Sequence, residues 1–294
     1  MGAGLRLKQL DSRAHVLIVG LGLIGGSYAK ALTKQGFSVR AVTKEQADID
    51  YALCSGLIGY GTTEVSEELI KKSDLIIFAL YPKIFISWIK EHGEKIKPGT
   101  LVTDVTGVKG KVVKKVQHML PEGVEFIAAH PMAGREVSGV ENADERIFEG
   151  ANYIVVPTDK TTPEATEACK ELGKILGFAT ISELSVDEHD EMIAYLSQLT
   201  HCIAVSLMCS SENPYIGKYT GDSFRDLTRI AKINEDMWTE LFMMNKDKLL
   251  HEMNMFILQI MKMEDMLTTG NTEDMKAMMR YAKNKRISFD KNMR

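Results

Sequence analysis

The apolar run His15-Val16-Leu17-Ile18-Val19 passes directly into Gly20-Leu21-Gly22-Leu23-Ile24-Gly25 and then into a stretch with helical periodicity. No other feature restricts the fold as tightly. An unbroken apolar run of this kind belongs to a strand covered on both faces, as in a parallel sheet. Parallel strands need a crossover, so a strand–turn–helix opening commits the chain to βαβ units. The glycines have the G-x-G-x-x-G spacing of a first βα turn. Gly20 permits the tight turn, Gly22 lets backbone approach a pyrophosphate, and Gly25 lets the helix pack closely on the strand. The helix N-terminus adds N–H donors and partial positive charge. Gly20, Gly22, Leu23, Ile24 and Gly25 are therefore the expected phosphate site of a dinucleotide.

The pattern continues for half the chain. A helix is expected from Ile24 to Gln35, stopped by Gly36. Further strands are expected at 38–42, 74–80, 100–105, 125–129, 152–156 and 178–184, with helical patterns such as EVSEELIKK, FISWIKEHGEKI, KGKVVKKVQHML and PEATEACKELGKILG between them. This alternation predicts a doubly wound parallel sheet with helices on both faces. From Val186 the strand signal ends, and helices are expected at 187–211, 223–231, 235–267 and 272–285. The fold class is α/β plus all-α, with an α/β domain over 14–185 and a helical domain over 186–294. Most of the 17 methionines fall in the helical half. They serve either as adaptable core filler or as the apolar face of a dimer interface.

Charge and composition exclude several classes. A net charge of −4 gives no bulk attraction to nucleic acid or an anionic membrane. No apolar run is expected to reach the roughly 20 residues of a spanning helix, and the first residues lack an apolar signal core. The 4 cysteines show no C-x-x-C spacing and no metal pattern. A cytoplasmic protein is expected.

In a doubly wound sheet, ligands bind beyond the carboxyl ends of the strands. The second strand ends Val42-Thr43-Lys44, without the acid that would hold a ribose 2′-hydroxyl. A hydroxyl and a cation suit a 2′-phosphate, so NADP is favoured over NAD, read by Thr43 and Lys44. Leu80 and Tyr81, Asp104 to Gly107, and His130 to Glu136 leave three further strand ends toward the nicotinamide. His130 is the candidate acid/base there, because an imidazole titrates near neutral pH. Thr106 could bond the nicotinamide amide or His130. Asp104 would brace the loop, and Lys109 reads as a solvated cation at a helix start.

Two polar places interrupt the helical half. Ser197 and His201 lie four apart, on one helix face. In Thr220–Ala231, Ser223 and Asp226 fit an N-terminal capping box. Arg225 and Arg229 share a face suited to an anion, unless Arg229 only pairs with Asp226. Trp238 follows nine residues later.

Taken together, G-L-G-L-I-G-G-S, D-V-T-G-V-K-G, H-P-M-A-G-R-E, S-Q-L-T-H and F-R-D-L-T-R-I-A with its trailing Trp238 resemble the prephenate/arogenate dehydrogenases of tyrosine biosynthesis, over about residues 15 to 285. The resemblance implies a Rossmann domain and a helical dimerisation domain whose helices interlock in a homodimer. It implies that hydride leaves C4 of prephenate for NAD(P), the C4 hydroxyl loses its proton, and C1 loses carbon dioxide as the ring aromatises to 4-hydroxyphenylpyruvate. Arogenate would give tyrosine directly. On this resemblance His130 holds the C4 hydroxyl, His201 and Arg229 line the substrate site, and Ser197, Arg225 and Trp238 support it. Glu136 and Asp226 match acids at the entrance, with Glu136 facing the Arg229 segment. Arg135 is left with three uses: a substrate carboxylate, a protein acid, or water.

There are departures from the family pattern. Gly107 stands where the family commonly has a serine bridging histidine and nicotinamide, so Thr106 or water takes that place. The S-H-L-P-H segment reads Ser197-Gln198-Leu199-Thr200-His201, and Gly221-Asp222-Ser223 replaces a glycine run, which leaves prephenate against arogenate open. Too few residues precede 14 or follow 285 for a mutase or regulatory domain, so tyrosine feedback would act at the active site. The alternatives are a 3-hydroxyacid-type dehydrogenase with a lysine base near Asn245-Lys246 or Lys248, which leaves the arginines unexplained, and a non-catalytic NADP-binding protein.

Overall fold

The computed structural model describes residues 10–291. Eight strands form one sheet: β1 (His15–Val19), β2 (Ser38–Val42), β3 (Tyr60–Thr62), β4 (Leu75–Phe78), β5 (Leu101–Asp104), β6 (Glu125–Met132), β7 (Asn152–Val156) and β8 (Thr180–Glu183). Their order is β3-β2-β1-β4-β5-β6-β7-β8. The chain reverses direction across the sheet at β1, between β2 and β4, which opens a crevice above the glycine turn. Every residue of β4 and β5 is buried, as the continuous apolar runs require.

The sheet is parallel except at one seam. β7 runs antiparallel to β6, a correction to the all-parallel expectation. The link between them contains two short 3-10 turns, Val140–Asn142 and Glu145–Phe148, rather than a crossover helix, so the chain returns antiparallel. That pairing also lengthens β6, with His130 opposite Ile154 and Pro131 opposite Tyr153. His130 therefore sits in a strand, not in the loop expected from the sequence.

Helices cover both faces. On one side α1 (Leu23–Lys34) and α6 (Pro163–Ile175) pack Tyr28, Leu32, Cys169 and Leu172 against the sheet. On the other, α4 (Pro82–His92) and α5 (Gly110–Met119) contribute Phe85, Trp88, Val112 and Val116. Phe85 is fully buried between Phe78 and Phe126, and truncating such a phenylalanine costs about 3–5 kcal/mol. Two shorter helices, α2 (Gln46–Cys54) and α3 (Glu67–Lys71), flank β3 in sequence.

After β8 the chain is helical: α7 (Val186–Ile193), α8 (Thr200–Cys209), α9 (Asp222–Thr228), α10 (Glu235–Met244), α11 (Lys246–Thr269) and α12 (Thr272–Lys291). Ser185 and Glu188 form a capping box that starts α7. A π-helical turn, Ala194–Leu199, joins α7 to α8. The resulting run Val186–Cys209 is, by length and composition, apolar enough to cross a bilayer, at 24 residues and mean hydropathy 1.5, contrary to the expectation that no run reaches that length. Its His189, Asp190 and Gln198 are buried and hydrogen-bonded within the protein.

Two helix boundaries differ from expectation. α9 starts at Asp222 with Gly221 as its N-cap and no side-chain cap, so Ser223 does not build a capping box. The helix expected over 235–267 breaks at Asn245. That side chain is buried and donates to the Asp190 carbonyl and to Gln198 Oε1, at 2.8 and 2.9 Å. The packing of the described residues divides at the same place, between Asn245 and Lys246. The second unit holds α11 and α12, which pack on each other; on α11 Met255, Ile257, Leu258, Ile260 and Met261 are exposed.

Candidate active site

The glycine turn is shaped as its spacing predicts. Gly20 has φ +101°, and a Cβ there would lie 2.4 Å from the Ala79 carbonyl oxygen. A Cβ on Gly25 would lie 1.9 Å from the Gly20 oxygen. Gly22, the N-cap of α1, faces open space: nothing lies within 4 Å of the Cβ position. Leu23 is buried and Ile24 packs against the core, so they offer only first-turn backbone N–H groups, which have no intrahelical acceptor. With no acid in that turn, these residues fit a dinucleotide pyrophosphate. Thr43 is half-buried at the end of β2 and Lys44 is exposed beside it. Leu80 and Tyr81 follow β4, with Tyr81 as the N-cap of α4.

The β5 loop differs from expectation. Lys109 is fully buried, not solvated. Its ammonium donates to Asp104 Oδ2 at 2.8 Å, to the Ala129 carbonyl at 2.6 Å and to Thr106 Oγ1 at 3.3 Å. Asp104 also accepts from the Ala129 and Thr106 N–H groups, at 3.2 and 3.1 Å. The Thr106 hydroxyl is held between Asp104 and the Val108 carbonyl. Asp104 and Thr106 are thus turned into the protein and brace the loop. Their side-chain oxygens are engaged by the buried ammonium and by each other, and no hydrogen bond joins either side chain to His130 among the described residues. Burial pushes the Lys109 ammonium below its usual value, against the pull of Asp104.

His130 reaches the rim from the end of β6. Its Nδ1 lies 2.9 Å from His189 Nε2, and His189 Nδ1 lies 2.8 Å from Asp190 Oδ1. Asp190 in turn accepts the Lys109 N–H at Oδ1, 2.8 Å, and the Gly110 N–H at Oδ2, 2.7 Å. It thereby caps α5, where a carboxylate meets the positive end of the helix. The other edge of His130 adjoins Gly107, whose Cβ position lies 3.9 Å from Nε2. Burial, then His189 and Lys109, hold the His130 imidazolium well below its ordinary range. Burial also lowers His189, against the Asp190 bond. Burial raises Asp190, but the His189 bond and the backbone donors outweigh it, so its carboxyl lies below the usual value. The expectations drawn from the sequence gave His189 and Asp190 no function. The only local signal was a polar cluster at the start of an apolar helical run.

The helical elements close the other side. His201 Nδ1 lies 2.8 Å from the Ser197 carbonyl oxygen, and its ring lies over Trp238 with centroids 3.7 Å apart and planes 30° apart. The expected Ser197–His201 pairing thus runs through the Ser197 backbone rather than its hydroxyl. Burial depresses His201, Glu136 raises it and Arg229 lowers it. Arg229 forms an ion pair with Glu136 from the loop after β6, as expected of that acid. Asp226 is exposed on α9. Arg229 is the C-cap of α9 and opens the 3-10 turn Arg229–Ala231, and Arg225 stands in the last turn of α9. Arg225 Nε donates to Thr220 Oγ1 at 3.1 Å. Arg135 pairs with Asp144 at 3.2 Å, which selects the protein acid among its three uses. Asp144 also holds Arg146 at 2.9 Å, and its N–H donates to Ser27 of α1 at 3.0 Å.

Known proteins are similar to this chain in sequence and in fold. The family description "prephenate dehydrogenase, nucleotide-binding domain" matches residues 28–181, and "prephenate dehydrogenase, dimerization domain" matches residues 185–281. The prephenate dehydrogenase of Bacillus subtilis (strain 168) is 34% identical over 276 residues, 91% of this chain and 73% of that one. The cyclohexadienyl dehydrogenase of Zymomonas mobilis subsp. mobilis is 27% identical over 258 residues, 85% of this chain and 87% of that one. The crystal structure of prephenate dehydrogenase from A. aeolicus in complex with hydroxyphenyl propionate and NAD+ superimposes with a TM-score of 0.88 at 28% identity, covering 96% of this chain and 100% of that one. With both family domains matched and a relative above 30% identity along most of its length, the chain belongs to the prephenate dehydrogenase family and is an NAD(P)-dependent dehydrogenase.

Proposed function

We propose that the chain converts prephenate to 4-hydroxyphenylpyruvate with NADP as the preferred cofactor. The observation that carries this reading is His130, held at Nδ1 with its Nε2 edge beside Gly107, at the carboxyl end of a sheet that carries an open glycine turn. When bound, the nicotinamide supplies the hydride acceptor for C4. His130 Nε2 takes the proton of the C4 hydroxyl as the carbonyl forms. The C1–carboxylate bond then breaks, its electron pair enters the ring, carbon dioxide leaves, and the phenolate oxygen takes the proton back from His130 to give the phenol. Aromatisation drives the reaction, so the protein's work is positioning plus one proton transfer.

A dianionic substrate needs cations. Arg229 meets a carboxylate in competition with Glu136, and His201, supported by Trp238, presents Nε2. Ser197 holds His201 through its carbonyl, and Arg225 and Asp226 stand on α9, which leads into Arg229. Thr43 and Lys44, without an acid at the end of β2, support the 2′-phosphate of NADP. Residues 186–294 serve as the substrate and dimerisation domain, and the exposed Met255, Ile257, Leu258 and Met261 of α11 support pairing of two copies. The Gly221-Asp222-Ser223 departure favours keeping arogenate as the second substrate to test. The decisive assay is a grid of prephenate and arogenate against NADP and NAD, following cofactor reduction and carbon dioxide release. Prephenate with NADP should be fastest. Turnover of a 3-hydroxyacid instead, or binding without turnover, would overturn the reading.

A further inference from the structure

We propose that His189 and Asp190 are positioning residues that hold His130 in the tautomer protonated on Nδ1, leaving the lone pair of Nε2 toward the substrate hydroxyl. This rests on the role given to His130 above and adds the device that makes it a base.

The directions of the hydrogen bonds follow from the end where no choice exists. The Lys109 and Gly110 backbone nitrogens can only donate, so Asp190 accepts at both carboxylate oxygens. A carboxylate that receives two N–H donors at a helix N-terminus stays ionised. It therefore also accepts from His189, whose Nδ1 carries a proton at 2.8 Å. A neutral His189 then has its lone pair on Nε2, and that atom lies 2.9 Å from His130 Nδ1. His130 must donate there. In a neutral imidazole this places the remaining lone pair on Nε2, the edge beside Gly107.

The competing arrangement needs a doubly protonated His189. It would donate to His130 Nδ1 and force the His130 proton onto Nε2, where a base cannot use it. Three features oppose that. His189 is fully buried. The buried Lys109 ammonium acts against a second cation there, with Asp104 already paired to Lys109. The Asp190 charge is shared with two backbone donors instead of being held for His189 alone. Gly110 is part of the same device: a Cβ on it would press to 3.0 Å from Asp190 Oδ2. The relay therefore runs from the first turn of α5 through α7 to the end of β6. It ties the orientation of the base to the joint between sheet and helices.

The test has two arms. Histidine-selective 15N labelling of the wild-type protein, without substrate, reports which ring nitrogen of His130 carries the proton, with His130→Asn to assign the signal. The expected result is a proton on Nδ1 of both His130 and His189. A proton on Nε2 of His130 overturns the proposal. In the second arm, His189→Asn should lower kcat by about 10- to 100-fold, the scale of losing an orienting hydrogen-bond partner, with cofactor Kd and substrate KM within about twofold. His189→Gln, whose side-chain oxygen can accept from His130 Nδ1, should recover part of that loss. A kcat within twofold of wild type in a folded His189→Asn protein overturns the proposal. If the wild-type protein turned over neither prephenate nor arogenate, the assigned reaction would fall, and the nitrogen spectra would still decide the relay.

Discussion

Replacing Gly22 with alanine should leave the fold nearly untouched and weaken cofactor binding by about 10- to 150-fold. The backbone at Gly22 has φ −81° and ψ −164°, extended values open to any residue, and the added methyl meets no atom within 4 Å. Alanine is a poorer N-cap than glycine by up to about 1 kcal/mol. A less flexible unfolded chain returns roughly 0.4–1 kcal/mol, so stability stays within about 1 kcal/mol. The methyl does occupy the space through which a pyrophosphate would approach the first turn of α1. Losing one hydrogen bond to a charged group costs about 1.5–3 kcal/mol, and each 1.4 kcal/mol is about tenfold in Kd. Calorimetric titration with NADP and NAD, beside urea unfolding, measures both quantities. Gly25→Ala is the contrasting control. Its methyl would sit 1.9 Å from the Gly20 oxygen, so backbone must move and both stability and binding should fall. An unchanged cofactor Kd in Gly22→Ala would refute the assignment of this turn. Loss of folding like that of Gly25→Ala would refute the claim that the space above Gly22 is reserved for a ligand.

Further outcomes follow from the same site. His130→Asn should lower kcat by about 100-fold or more while both ligands still bind; near-normal turnover would remove it from the mechanism. Because the folded protein holds His130 well below 6.5, the base form is already present at neutral pH. The unfolded chain then binds a proton that the folded one lacks as pH falls through about 6.5, so stability should drop on the acid side of that value. A pH profile of kcat/KM should be flat from about 6.5 upward until a second group titrates, and an acid limb centred above 7 would contradict the burial argument. Lys109→Met leaves Asp104 buried without its counter-ion and should destabilise the protein by about 3–5 kcal/mol in denaturant unfolding; adding Asp104→Asn should restore part of this, and strict additivity would show that the two do not interact. Lys44→Ala should weaken NADP much more than NAD, with equal loss for both cofactors counting against a 2′-phosphate contact.

Local pattern carried much of this protein. The apolar run of β1, the three glycines after it and the alternation of strands and helices depend on neighbours within a few residues, and they predicted the sheet, its helices and the pyrophosphate turn. The short β3 strand escaped because three residues carry no period. The antiparallel seam escaped because a parallel and an antiparallel buried strand have the same composition, and that seam put His130 in a strand. The chemistry of individual polar residues depended on distant partners. Lys109 read as solvated because lysine at a helix start usually is, and only the sheet brings Asp104 and the Ala129 carbonyl around its ammonium. His130 and His189 are 59 residues apart, and Asp190 meets the N–H of Lys109 across 81. No spacing rule spans such distances. What the sequence determined by itself was the backbone plan and the residue types at the crevice, because periodicity and turn chemistry are local. Which nitrogen of His130 faces the substrate, and which charges lie buried beneath it, was decided only by tertiary structure, because desolvation and hydrogen-bond direction exist only once the distant segments have packed together.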